Sequence, residues 1–211
     1  MATILPFHSP LSPNTLEQAV ACIQAGGVLA VPTDSYYALA AGVFQPAALE
    51  RVLEVKGKRD DKPFPVLIGD PSQLDRLVDD VPEIARKLMQ QFWPGLLTVV
   101  LNAKVPLSPV IISEQGAIGI RQPHDSRLCE LLMQAGPFTG TSANYVGQSP
   151  AQSVEDVMQQ FGQNIDLILD GGLTPGGQPS TVLQVEPELR ILRHGAIPIS
   201  AFPPNSIKNE G

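Results

Sequence analysis

Three segments of this 211-residue chain gather polar side chains out of proportion to the rest: Lys56 to Lys62, Gly140 to Pro150, and Gly171 to Ser180. In the first, Lys56, Lys58, Arg59 and Lys62 place four cations within seven positions of a chain whose formal net charge is −7. Such a density can neutralise a triphosphate and the charge that develops as a phosphoryl bond breaks. It equally suits the C-terminal end of a helix, where the macrodipole favours cations without any ligand, and Asp60 and Asp61 offset part of it. In the second segment Ser142 and Asn144 are two residues apart, so an extended backbone points both toward the same phosphate or purine edge. A pair that merely caps a turn has the same spelling. Arg121 and Arg193 each close a short apolar run, where a guanidinium fork can grip a carboxylate bidentately or simply face water.

Other chemistries lack their residues. The chain has no H-E-x-x-H, no Cys/His cluster at zinc spacing and no G-x-G-x-x-G, so no metal ligand set is assigned and no dinucleotide site is expected. The run Gly171 to Gly177 carries Gly177 where a phosphate loop needs lysine, and Gly140 to Asn144 ends on Asn144 where a serine elbow needs glycine. Cys22 and Cys129, the two cysteines, sit in apolar helical patterns and read as small buried hydrophobes. An acidic balance argues against a protein whose main task is gripping nucleic-acid phosphates, so any nucleic-acid contact is expected to be local or absent. Apolar residues make up 43% of the chain without a stretch long enough to span a bilayer, and Met1 to Pro10 lacks the pattern of a secretory signal. The expected compartment is the cytoplasm.

The elements that must position these residues alternate between strand and helix. Leu16, Ala19, Val20 and Ile23 recur at helical spacing, with Asn14 expected to open the helix and Gly26-Gly27 to close it. Val28 to Val31 reads as a buried strand, and Thr33 to Tyr37 as a polar loop at its end. Pro46 opens a second helix running into the basic segment, and Pro71 and Pro82 mark two more helix starts. Strands are expected at 65–68, 96–101, 117–121, 166–170, 181–185 and 189–193, with helices near 126–134 and 153–161. That order favours a single α/β domain over residues 1–211, a twisted mixed sheet with flanking helices around an open cavity. Its core is expected at about 15–197, with a frayed tail at 203–211.

In register along the chain stand Pro32-Thr33-Asp34-Ser35-Tyr36-Tyr37, Lys56-Gly57-Lys58 through Lys62-Pro63, Trp93-Pro94-Gly95 with Leu97-Thr98, Arg121-Gln122-Pro123, Ser142-Ala143-Asn144, Asp170-Gly171-Gly172, Ser180-Thr181-Val182 and Arg193-His194-Gly195. Together they resemble the YrdC family of threonylcarbamoyl-AMP synthases, in its short single-domain bacterial form. The resemblance implies a reaction of L-threonine, bicarbonate and ATP giving threonylcarbamoyl-AMP and pyrophosphate, for modification of tRNA by downstream threonylcarbamoyl transferase proteins. It implies ATP contacts from Lys58, Lys62, Ser142, Asn144 and Arg193, threonine contacts from Thr33, Tyr37, Arg121 and Ser180, and Lys56 and Lys58 as the catalytic cations. Mg2+ is expected to arrive mainly on the phosphates.

Three positions depart from the family pattern. Lys58 stands where the K-x-R element has arginine, with Arg59 one place later. Asp125 stands where the R-x-P-x-H element has histidine, and Leu67 where some members place a threonine-contacting histidine. Spacing to Lys62 favours Lys58 over Arg59 as the phosphate cation. The alternatives are a YciO-type paralogue, which shares the fold but lacks the Ser-x-Asn element intact here, and an RNA-binding module.

Overall fold

The computed structural model describes residues 1–57, 62–104 and 106–202, and the backbone of 207–208. Its helices are α1 (Pro13–Gln24), α2 (Pro46–Lys56), α3 (Glu83–Phe92), α4 (Ser126–Ala135) and α5 (Val154–Phe161). Its strands are β1 (Thr3–Pro6), β2 (Leu29–Pro32), β3 (Tyr37–Ala40), β4 (Val66–Leu67), β5 (Leu97–Asn102), β6 (Ala117–Arg121), β7 (Phe138–Thr139), β8 (Thr141–Ser142), β9 (Leu167–Asp170), β10 (Thr181–Gln184), β11 (Leu189–Arg193) and β12 (Ile207–Lys208). The mixed α/β class anticipated from the order of elements is observed. The strands divide between two sheets, ordered β1-β9-β2-β3-β8 and β12-β11-β10-β5-β6-β4-β7.

The sheets meet where the chain crosses between them at Gly140, which separates β7 of the second sheet from β8 of the first. Gly140 donates its N–H to the Pro65 carbonyl at 2.9 Å. A Cβ there would fall 2.6 Å from Leu67 Cδ1, so a side chain would drive the sheets apart or push Leu67 aside. Helices cover the sheets with stripes readable in sequence: Leu128, Leu131 and Leu132 on α4, and Val154, Val157 and Phe161 on α5, are buried. Ser153 caps α5 in a reciprocal box with Asp156, and Asp125 caps α4 by accepting the Arg127 N–H at 2.9 Å.

Several boundaries differ from expectation for identifiable reasons. Ser12, not Asn14, opens α1: its hydroxyl takes the Thr15 N–H at 3.1 Å, and Pro13 is already set for the first turn. The segment after Pro71 is a 3₁₀ turn, Pro71–Arg76, and not an α-helix. Tyr37 opens β3 instead of ending a loop, and it is fully buried. Structure begins before residue 15, because β1 pairs in parallel with β9 and Phe7 is fully buried behind it. In the tail, Ile207–Lys208 pairs with β11, while the rest of 203–211 lies outside the described residues. Cys22 and Cys129 are half-buried, and burial pushes each thiol up to about 11.

Candidate active site

A cavity of about 370 Å3 opens at the seam of the sheets. The first sheet gives it Tyr37 and Ala38 from β3 and Ser142 from β8; the second gives Leu67, Thr98, Arg121 and Arg193. Six of the residues named in the sequence analysis therefore line one space: Arg121, Ser142 and Arg193, singled out by type and spacing, and Thr33, Tyr37 and Ser180, implied by the resemblance. A second hollow of about 640 Å3 continues from it, sharing Pro65, Thr98 and Arg193 and adding Lys62 at its edge. Volumes of this size suit a small-molecule ligand.

Each wall is held by its own hydrogen bonds. The Thr33 hydroxyl donates to the Tyr36 carbonyl at 2.7 Å and so closes the turn between β2 and β3. The Tyr37 phenol donates to the Gly172 carbonyl at 2.8 Å; burial pushes it up to about 12, although the Gly171 N–H works the other way, so it remains a neutral donor. Tyr36 donates to the Gly177 carbonyl at 2.8 Å, and the Gly176 N–H donates to the Ser35 carbonyl at 2.7 Å. These bonds tie the segment 171–180 across the turn that carries Thr33.

Two guanidinium groups converge on the cavity in different states. Arg121 is buried, pairs with Asp34 through Nη2, and donates from Nε to the Gly95 carbonyl at 2.8 Å. Arg193 contacts Ser180 instead, donating to its carbonyl and to its hydroxyl, each at 2.9 Å. Ser180 in turn lies 2.8 Å from the Thr98 hydroxyl. Crowding by the cavity wall, and then the nearby Arg121 charge, hold Arg193 below its ordinary value. Two cations close enough to disfavour each other mark a place that an anion would stabilise.

Ser142 and Asn144 do point the same way, and they meet: the Ser142 hydroxyl donates to Asn144 Oδ1 at 2.6 Å. The Asn144 amide donates to the Tyr145 and Gln148 carbonyls at 3.0 Å, so the turn-capping arrangement is present at the cavity's edge. Beneath this loop lies Lys56, which is 8% exposed, its ammonium donating to the Ser142 carbonyl at 2.6 Å and the Asn144 carbonyl at 3.0 Å. Lys62 stands at the far hollow. Lys58 and Arg59, and with them the choice between the two, lie outside the described residues.

Asp34 and Thr98 stand in the motif segments quoted above, but the sequence gives neither a role. Asp34 is the acid of the turn that carries Thr33, and Thr98 lies inside β5, facing Val182 across the parallel pair β5/β10. The departures noted above also take their places. Leu67 lines the cavity beside Arg121, its register partner on β6. Asp125, though burial acts against it, is held below the usual carboxylate range by Arg127, whose Nη2 lies 2.5 Å away. Among the described residues no group of three or more His, Cys, Asp or Glu is placed to hold a metal.

The site is a cavity at the seam of two mixed sheets, with one guanidinium paired to a carboxylate and one hydrogen-bonded to Ser180. Comparison with known proteins gives the family. The Sua5/yciO/yrdC family model, described as "Telomere recombination", matches residues 21–195, and the chain belongs to that family. It is 36% identical over 86% of its length to a threonylcarbamoyl-AMP synthase of Bacillus subtilis, of which it spans 54%. It superposes on Pyrococcus abyssi Sua5 complexed with L-threonine with a TM-score of 0.89 at 30% identity, covering 95% of this chain and 59% of that one. On YciO of E. coli the TM-score is 0.85 at 28% identity, covering 96% of this chain and 100% of that one. The chain thus spans little more than half of these synthase and Sua5 relatives.

Proposed function

We propose that the protein is a threonylcarbamoyl-AMP synthase on a YrdC-like domain, joining L-threonine, bicarbonate and ATP and supplying the activated product to tRNA-modifying transferases in the cytoplasm. The observation that carries this reading is the convergence of Arg121 and Arg193 on one cavity, the first ion-paired and forked, the second without a carboxylate partner among the described residues. A carboxylate needs direction, and a triphosphate needs net charge.

The threonine amine adds to carbon dioxide derived from bicarbonate, forming a C–N bond and releasing a proton. The resulting carbamate oxygen then attacks the α-phosphorus, and the bond to the bridging oxygen breaks with pyrophosphate leaving. No covalent nucleophile is required of the protein, whose work is alignment and charge neutralisation. Arg121, with Thr33, Tyr37 and Ser180 around it, frames threonine. Arg193, Lys62, Ser142, Asn144 and Lys58 hold the nucleotide, and Lys56 fixes the Ser142–Asn144 backbone beside it. Mg2+ would enter this cavity mainly on the phosphates of ATP, which suits a cation that keeps most of its ligands from phosphate and water. Contact with tRNA is local and transient, given a net charge of −7.

Incubation with ATP, bicarbonate and labelled threonine should release pyrophosphate and form a labelled adenylate. The likeness to YciO, which this chain covers in full, supports a second reading, a YciO-type paralogue whose activity is not established. Absence of the adenylate from a folded, ATP-binding protein would favour it.

A further inference from the structure

Arg121 is secured along one edge. Nε is spent on the Gly95 carbonyl at 2.8 Å and Nη2 on Asp34, whereas Nη1 has no protein partner among the described residues. Asp34 is itself pinned twice, since its other oxygen accepts the His124 N–H at 3.2 Å. The side chains of Arg121 and Asp34 are only 9% and 16% exposed. The turn that carries Asp34 is also fixed: the Ser35 N–H donates to Thr33 Oγ1 at 3.2 Å, and the Ser35 carbonyl receives the Gly176 N–H at 2.7 Å.

We propose that Asp34 is a positioning residue for the amino-acid substrate, holding one edge of the Arg121 guanidinium so that the other edge meets the substrate carboxylate already oriented. The inference rests on threonine binding at Arg121. A free arginine must give up its side-chain freedom when a carboxylate arrives, and one held by a buried partner has already done so. The pair has a second consequence. With Asp34 at its side, the Arg121 guanidinium has a carboxylate counter-charge and offers directed N–H groups, while Arg193 has no carboxylate partner among the described residues. Polyphosphate is therefore drawn to Arg193 and Lys62, and the Arg121 fork stays open to the amino acid.

The test is Asp34→Asn in the full chain, with kcat and KM determined for threonine and ATP and with threonine Kd by calorimetry. Threonine KM and Kd should rise about tenfold with ATP KM unchanged, as expected when one charged hydrogen bond in a positioning pair is weakened. Pyrophosphate should become competitive with threonine in the variant alone, which a purely structural role would not produce. Should Asp34→Asn fail to fold, Asp34→Glu keeps the charge on a longer arm, and a smaller rise confined to threonine is expected. A fall in threonine KM would make Asp34 a competitor for Arg121, and a parallel loss for both substrates would make it a general brace; either overturns the proposal. A wild type that releases no pyrophosphate fails the proposed function, and the Asp34 effect is then read from threonine Kd. A wild type that binds no threonine overturns both.

Discussion

Replacing Lys56 by methionine separates the two things a buried lysine can do here. Its stem continues the buried stripe of α2 through Ala48, Leu49 and Val52, and methionine preserves most of that packing. What is lost is the ammonium, with its bonds of 2.6 and 3.0 Å to the Ser142 and Asn144 carbonyls. A hydrogen bond from a charged donor contributes about 1.5–3 kcal/mol where both partners are buried. Ser142 is exposed, so water can reach part of the vacated space and the lower end applies. The two bonds together should then cost about 2–3 kcal/mol, a fall of roughly 5–10 °C in Tm for a chain of this size. Urea denaturation without ligand checks the first number and thermal melting the second. ATP affinity should fall as well, because the Ser142–Asn144 backbone loses its prop. Lost ATP affinity with wild-type stability would refute the reasoning, since the ammonium would then act on phosphate and not on the loop.

Arg121→Lys should raise threonine KM by roughly 10- to 100-fold with little change for ATP, because a point cation cannot serve Gly95, Asp34 and a carboxylate together; steady-state kinetics with each substrate varied checks this. Ser142→Ala should cost less than about 1 kcal/mol of stability yet cut pyrophosphate release at least tenfold. Asn144→Ala should cost about 1–2 kcal/mol more, since its amide closes two bonds of the turn; circular dichroism beside the activity assay separates these effects. Acid should expose Asp125. Its folded-state value lies below the ordinary 3.8, so its contribution is present above 3.8 and is lost as pH falls through the depressed value. Asp125→Ala should lose about 1 kcal/mol near neutrality and show a shallower acid transition than wild type, measured by unfolding at several pH values.

Much of this architecture was legible because helices and long strands carry periodic signals. The apolar spacing on α4 and α5 and the strands β6 and β11 announced themselves. Of the two-residue strands, β4 falls inside the expected 65–68, whereas β7 and β8 were not legible, because their identity depends on partners far along the chain: Thr139 pairs with Val66 and Ser142 with Ala38. β3 was hidden for a different reason. Tyr37-Ala38-Leu39-Ala40 has half its positions in a poor strand former, and only burial between β2 and β8 makes it one. In the site, residue type and spacing single out Arg121, Arg193 and Ser142, the resemblance adds Ser180, and neither says which cation is paired. Lys56 was the instructive case. It was read as part of a basic loop, yet Leu49, Val52 and Lys56 recur at helical spacing, so the sequence already put it on the buried face of α2.

The geometry also explains why the cavity lies at the seam and not on either sheet. Arg121 ends β6, Arg193 ends β11, and Ser142 ends β8, so the three reach the cavity from strands that belong to different sheets or lie apart within one. No single hairpin could bring them together. The crossing at Gly140 can, because it joins β7 to β8 in one residue and packs on Leu67, the register partner of Arg121. The Ser142–Asn144 loop after β8 and the Arg121 guanidinium at the end of β6 are thereby fixed to the same point of the backbone. Gly140→Ala, which places a Cβ 2.6 Å from Leu67 Cδ1, should accordingly disturb both halves of the site. A rise in KM for threonine and for ATP together is the expected result, in contrast to the threonine-only effect at Asp34. A change confined to one substrate would mean that the two halves of the site are not coupled through this crossing.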